Sequence, residues 1–453
     1  MPLSISRNQA LATMQTLSTV VVIGYVWPEP NSSAAGSRMM QLLAFFKQRS
    51  ERVIFASPAQ LGEHRVQLNG LDIEEQNIEL NCESFDHWIN QLQPELVLFD
   101  RFMMEEQFGW RVEQQCPNCI RILDTEDLHS LREARHQLLR SALKANREID
   151  LQFDHLDTVY QIMVTTDVCQ REIAAILRCD LTLMISEFEI YLLTQKFNIP
   201  QGLLLHLPFM LEKLRLADTN PDANHGNEAS STLPAFSQRA HFVTIGNFRH
   251  APNWDTILWL KQAVWPKIRT LMPDAQLHIY GAYPPKKATS LHNPKQGFYV
   301  QGWAEDAFEV LSQARVCLSP IRFGAGIKGK FTDAMLCSTP SITTSLGAES
   351  MHGDFSWPGA IHNSSDDIAK AASELYQTET LWQHASDKGA TILDTHYNKA
   401  HLSVRLEAAV DTLQKDLTAL RLNNFTGMML RHHHHKSTKY MAQWIAAKNN
   451  NLK

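Results

Sequence analysis

The sequence predicts an α/β fold made of two similar halves, each a parallel sheet wrapped by helices. Three observations predict it. Short runs rich in Val, Ile and Leu alternate with helical stretches along nearly the whole chain. The plan opens twice, at Val20-Val21-Val22-Ile23 closed by Gly24 and at His241-Phe242-Val243-Thr244-Ile245 closed by Gly246, each followed by a polar loop and a helix. Between the halves, LADTNPDANHGNEASSTLPAFS lacks apolar periodicity and reads as a linker.

Composition sets the outer bounds. At 453 residues the chain has room for two or three domains of ~100–200 residues each. A hydrophobic content of 44% and a charged content of 20% are those of an ordinary globular protein. A net charge of -6 gives no reason to expect a nucleic-acid partner. No run of ~20 apolar residues is present, so no transmembrane segment is expected. The first residues, MPLSISRNQALATMQTLSTV, lack the apolar centre of a signal peptide and read as a polar extension. Seven scattered cysteines fit a reducing compartment better than a disulfide framework. Cys116-Pro117-Asn118-Cys119 is half of a zinc site at most, and it precedes a strand where a redox pair would follow one.

In chain order, the first half opens with the strand over 20–23. A loop follows with Pro28, Pro30 and Gly36, and then a helix over 37–48 with Met39, Leu42, Leu43 and Phe46 at helical spacing. Arg52-Val53-Ile54-Phe55-Ala56 is the second strand. The strands over 96–99 and 120–123 each end in an acid, Asp100 and Asp124. Beyond the second of these lie Asp127 and His129, candidates for catalysis or substrate binding since polar side chains past strand ends often bind or react, with a helix cap the other reading of Asp127. Residues 131–177 are helical in pattern. The strand over 179–185 leads into Ser186-Glu187-Phe188-Glu189, which reads as a capping box, and 202–208 is the last strand of the half.

The second half runs strand, loop, helix with Pro266 as a kink or divider, then strands over 276–280 and 298–301, a helix over 305–314 and a strand over 315–319. The stretch SPIRFGAGIKGKFTDAMLCSTPSITT follows as strand end, glycine loop, helix, turn and strand. A glycine loop that opens a helix gathers unpaired N–H groups at the positive end of the helix dipole. Arg322 and Lys328 add full charges there, which suits a phosphate or diphosphate. Gly347-Ala348-Glu349 reads as a further strand-end loop. The histidines at 432–435 read as a polar connection into a final helix over 437–448, with Met441, Trp444, Ile445 and Ala446 inward.

At this point the sequence resembles the glycosyltransferases of the GT-B fold, in particular the family 4 retaining group. GNFRHAPNWD, LSPIRFGAGIKGKFTDAM and TPSITTSLGAES carry the resemblance, with IGYVWPEPNSSAAGSRM and the Ser-Glu element after Ile185 in support. The resemblance implies two Rossmann-like domains facing across a cleft, over 1–215 and 239–422, a linker over 216–238, and a helical segment over 423–453 crossing back to the first domain. It implies transfer of a sugar from a nucleotide-sugar donor, bound by the second domain, to an acceptor on the first. That acceptor is a glycan, a lipid-linked species or a small molecule. Lys328 and Arg322 then serve the diphosphate, as do Arg249 and His250. Gly36, Gly324 and Gly326 supply backbone N–H groups, Asp333 lies near the ribose, and His129 lies near the transferred sugar. Glu349 is a further donor-facing candidate. His129, Lys328 and Arg249 are the expected catalytic set.

The resemblance further implies a retaining outcome. No Asp-x-Asp at a strand end calls for a metal and no cofactor is expected, and the cysteines point to the cytoplasm, with the inner membrane surface an option for which no basic amphipathic patch argues. The chain departs from the family at Ala325, where an acid is common, at Asp333, where glutamate is usual, and at Ser338, where glycine is usual. A nucleotide-sugar epimerase or hydrolase of the same fold, and a non-catalytic nucleotide-sugar-binding protein, are the competing readings.

Overall fold

The computed structural model describes residues 16–145, 156–212 and 233–450. The polar N-terminal extension and most of the expected linker lie outside them.

The first sheet comprises β1 (Leu17–Ile23), β2 (Ser50–Ser57), β3 (Glu74–Asn77), β4 (Leu96–Asp100), β5 (Ile120–Asp124), β6 (Leu181–Met184) and β7 (Leu204–His206). It is wholly parallel, in the order β3-β2-β1-β4-β5-β6-β7. The second comprises β8 (Ala240–Ile245), β9 (Leu277–Tyr280), β10 (Phe298–Gly302), β11 (Ala314–Leu318), β12 (Ser341–Thr343) and β13 (Gly359–Ile361). It too is parallel, in the order β10-β9-β8-β11-β12-β13. Both orders reverse beside the first strand, between β1 and β4 and between β8 and β11. Crevices open past the carboxyl ends of strands at such reversals.

β4 and β5 are buried along their full length because helices cover both faces. Their apolar runs therefore do not alternate, which is what made them legible. β3 and β13 escaped the sequence reading. Glu74-Glu75-Gln76-Asn77 is an all-polar edge strand, and Gly359-Ala360-Ile361 is three residues long.

The helix Ala34–Arg49 starts earlier than expected because Ser33 caps it, accepting from Gly36 N–H at 3.1 Å. Pro266 does divide its helix. It lacks the N–H that would close the preceding turn, and Leu260–Val264 widens into a π-turn just ahead of it. Ser345–Ala348, expected as a loop, forms one helical turn capped by the Thr344 hydroxyl.

The return to the first domain comes earlier than 423. Leu211 N–H donates to Tyr397 O at 2.7 Å and Lys399 N–H to Leu211 O at 3.0 Å. From there the helix Lys399–Asn423 buries Leu402, Leu406, Val410 and Leu413 in the same cluster as Val20, Val22, Leu96 and Leu98. The last helix is Phe425–Asn450, unbroken through the four histidines where a connection was expected. Its start is fixed on the first domain by Asn424, which donates to Leu177 O at 2.8 Å.

The CxxC pair is buried, each thiol donating to a carbonyl at 3.4 Å, Cys116 to Ile89 and Cys119 to Ile120. Among the described residues no third ligand joins them.

Candidate functional site

The carboxyl ends of the two sheets meet face to face, and the loops there interlock. Gly326, at φ 60°, brings its backbone so close to the β5 loop that a Cβ would sit 2.9 Å from both Asp127 Cβ and Ile185 Cδ1. Gly329, the first residue of the helix Gly329–Leu336, packs on Ala34 at the start of the first domain's first helix, where a Cβ would approach to 2.7 Å.

Around this contact the second domain supplies cations. Lys328 is the N-cap residue of its helix, and its ammonium bridges Gly326 O and Leu346 O, each at 2.8 Å. Burial lowers its pKa to about 8, against the pull of Glu349. Lys330 lies in the first turn of the same helix, bonded to Asn253 Oδ1 at 2.9 Å, and burial lowers it to about 8 as well. That turn contains no acid. Two lysines at a helix N-terminus oppose the dipole, a cost that an anion beside them and the amides would relieve. His250 faces the same space from the loop after β8, within electrostatic reach of Asp127, Arg132 and Lys330. The carboxyl of Asp333, one turn further along the helix, has no hydrogen-bond partner among the described residues, and burial pushes it up to about 7.

The first domain supplies carboxylates. Asp127 pairs with Arg132 and lies 3.7 Å from His129 Nε2. Burial works against its charged form, but Arg132, His129 and His250 together hold it below the usual carboxylate range. Asp127 is thus not a helix cap. Glu172 caps that helix instead, accepting from His129 N–H at 2.6 Å and Ser130 N–H at 2.9 Å. Burial lowers His129 to about 4, so the imidazole is neutral at pH 7, its ring edge-on to Phe102.

Glu189 departs from its expected capping role. Ser186 does accept from Glu189 N–H, at 3.4 Å, but the Glu189 carboxylate leaves the helix end. It accepts from Leu128 N–H at 3.0 Å and, across the cleft, from Gly326 N–H at 2.9 Å. Burial, with Asp127 adding to it, raises its pKa to about 8.

Arg135, fully buried, crosses the cleft in the same way. It donates to Gly324 O at 2.9 Å and grips Glu349 with both terminal nitrogens, at 2.9 and 2.7 Å. Glu349 is therefore the first domain's partner, with its carboxylate committed to that guanidinium.

Several expected residues point elsewhere. Arg322 forms a bidentate pair with Asp255, at 2.6 and 3.0 Å, and lies over the Trp259 ring. Arg249 is exposed and stacks on Tyr283 at 3.6 Å; the Tyr283 hydroxyl in turn donates to Glu29 at 2.9 Å. Together with His64 stacked on Trp303 at 4.4 Å, these residues join the rims of the two domains. Gly36 has its N–H bound to Ser33, and a Cβ there would meet Glu29 O at 2.4 Å, so it serves a tight turn. Lys328, His250, Gly326 and His129 do converge. Sequence reasoning passed over Lys330, Glu189 and Arg135 as site residues. The lysine pair in an acid-free first turn was a signal for the first of these. The long-range partners of Glu189 and Arg135 left none.

This geometry meets known proteins at two levels. Residues 239–378 match the family model described as glycosyl transferases group 1. The whole chain has the GT-B fold. The Anabaena protein Alr3699/HepE, solved in complex with UDP and glucose, is 9% identical, with 87% of this chain and 99% of that one covered at a TM-score of 0.61. A glycosyltransferase from Rickettsia africae is 10% identical, with 88% and 98% covered at 0.59. Sucrose-phosphate synthase from Thermosynechococcus elongatus is 17% identical, with 89% and 99% covered at 0.58. At such identities the likeness is one of fold. A comparison with curated proteins returns no match. The matched family segment contains all of β8 to β13, with Arg249, His250, Arg322, Lys328 and Lys330. The carboxylate loops of the GT-B cleft come from outside it.

Proposed function

We propose that this protein is a glycosyltransferase that takes a sugar from a nucleoside-diphosphate donor and passes it to a hydroxyl of an acceptor lying against the first domain. The observation that carries the proposal is the pair Lys328 and Lys330 around an acid-free helix N-terminus, inside the segment that matches glycosyl transferases group 1. The UDP and glucose in complex with the Anabaena protein support a nucleotide-sugar donor by analogy of fold.

In the reaction the bond between the anomeric carbon and the diphosphate oxygen breaks, and an acceptor hydroxyl oxygen takes its place. Negative charge grows on the departing diphosphate. Lys328, Lys330 and the amides of the glycine loop are fixed before the reaction begins, so they stabilise that charge without reorganising. The products are the glycosylated acceptor, the nucleoside diphosphate and the hydroxyl's proton. Asp333, unpartnered beside this cluster, accepts hydroxyl hydrogens of the donor's ribose. Neutral His129 and charged Asp127 face the sugar from the opposite wall. The retaining course follows from the resemblance to family 4, and no Asp-x-Asp at a strand end calls for a metal.

A carboxylate of Glu189 now fills the amide of Gly326. Donor entry therefore requires the domains to part, followed by closure over the bound molecule. The test is release of nucleoside diphosphate from a panel of nucleotide sugars, with and without acceptors, in the presence of a chelator. Acceptor-dependent release that survives chelation and is lost in Lys328→Ala supports the proposal. Release without acceptor would favour a hydrolase, and binding without release a non-catalytic protein.

A further inference from the structure

The last helix, Phe425–Asn450, carries an apolar stripe that the fold does not cover. Its first third is fastened to the first domain. Gly427 lies so close to Leu177 O that a Cβ would come within 2.1 Å, and Arg431 donates to Arg178 O at 3.2 Å and pairs with Glu113. Further along, Ala442 faces the protein and is buried. On the opposite side Phe425 is 70% exposed, Met429 45%, Tyr440 68%, Met441 59% and Trp444 61%. At 3.6 residues per turn, Phe425, Met429, Tyr440 and Trp444 fall within about 100° of arc. They form two pairs, Phe425 with Met429 and Tyr440 with Trp444, about 16 Å apart on a helix about 39 Å long. Single exposed apolar residues need no explanation, but a row of large ones does.

The charge of the same segment says what covers it. From Leu417 to Lys453 the sequence contains no Asp or Glu, yet it carries Arg421, Arg431, Lys436, Lys439, Lys448 and Lys453, in a chain whose net charge is -6. Lys448 lies over the Trp444 ring at 5.3 Å, a cation beside the apolar stripe. A second copy of the chain would bring this cationic face against itself, which repulsion opposes. Among the described residues no helix is long and apolar enough to cross a membrane.

We propose that the outward face of this helix lies on an anionic lipid surface. Tyr440 and Trp444 seat their rings at the headgroup level, Phe425, Met429 and Met441 dip below it, and Lys439 and Lys448 meet lipid phosphates. The inference does not depend on the proposed catalytic function. The sequence reading set Met441 and Trp444 inward on a short final helix; the structure exposes both. It also joins the residues on both sides of the histidines into one helix.

Vesicle flotation of the full chain tests it, with phosphatidylcholine vesicles compared against vesicles that also contain phosphatidylglycerol. The wild-type chain floats with the anionic vesicles roughly tenfold more than with the neutral ones, and raised salt weakens the binding. The triple change Tyr440→Ser, Met441→Ser, Trp444→Ser loses flotation, and Lys439→Glu with Lys448→Glu loses the preference for anionic lipid. An unchanged melting temperature in these variants excludes misfolding as the cause. No flotation, flotation indifferent to the variants, or a dimer in sedimentation that the triple variant converts to monomer would each overturn the proposal, the last assigning the stripe to a second copy.

Discussion

The two sheets share one strand order and differ in the charge they present at their carboxyl ends. Past β4, β5 and β6 the first domain offers acids: Asp100, Asp124, Glu126, Asp127 and Glu189. Past β8 and β11 the second offers His250, Lys328 and Lys330, with Asp333 behind them. On a duplicated scaffold the second domain thus sets lysines, the proposed anion wall, opposite a wall of acid side chains, of which burial raises Glu126 and Glu189 to about 8. The lesson is that strand order fixes where a ligand lies, and side chains in the strand-end loops fix what it is.

The comparison breaks most visibly where the walls touch. Arg135→Ala removes a buried guanidinium that holds Gly324 O and Glu349 together. Stability should fall by about 3 kcal/mol, because a carboxylate is left without its partner. Calorimetry will read the loss, and it should exceed that of any exposed ion pair in the chain. Lys328→Ala removes a charge from the anion wall alone. kcat/KM for the nucleotide sugar should fall about 100-fold, the equivalent of ~2.7 kcal/mol at a charged contact, with the melting temperature little changed. Steady-state kinetics beside a thermal melt will separate the two effects.

Gly326→Ala sharpens the same point through the backbone. A left-handed φ costs a residue with a Cβ about 1 kcal/mol or more, and this Cβ would also press on Asp127 and Ile185. Weaker closure should raise KM several-fold with a smaller change in kcat. Arg322→Ala should leave kcat/KM nearly unaltered, since that side chain serves Asp255. If it matched Lys328→Ala, the division between carboxylate-paired and carbonyl-bound cations would be mistaken.

The pH dependence follows from the lysines. Lys328 and Lys330 both lose their protons near pH 8, more than two units below an ordinary lysine at 10.5. Both must be charged to hold a diphosphate. Donor binding by the free enzyme should therefore fall as pH rises above 8, by up to tenfold per unit for each lysine, whatever change accompanies ionisation of Asp333 near 7. Binding that improved above pH 8 would contradict the role given to them.

Much of this was legible in the sequence. The buried parallel strands announced themselves as apolar runs, the two glycine-closed first strands announced the repeat, and Lys328 stood out beside its glycines. What was not legible depends on contacts between distant residues. Glu189 looked like the second half of a capping box, and nothing local says that its carboxylate reaches Gly326, 137 positions away. Arg322 and Arg249 looked free because their partners, Asp255 and Tyr283, lie on other elements. Gly36 was read as an amide donor when its missing side chain is what the Glu29 turn requires. A run of histidines resembled a break because polarity, not helix propensity, guided the reading.

The central claim is that the second domain's strand-end loops form a diphosphate site. Isothermal titration of the full chain with several nucleoside diphosphates and their parent nucleosides, in chelator, tests it most directly. The account predicts that one diphosphate binds at least tenfold more tightly than its nucleoside, and that Lys328→Ala erases most of that difference. Equal affinity for diphosphate and nucleoside, or a preference that survives Lys328→Ala, would contradict it.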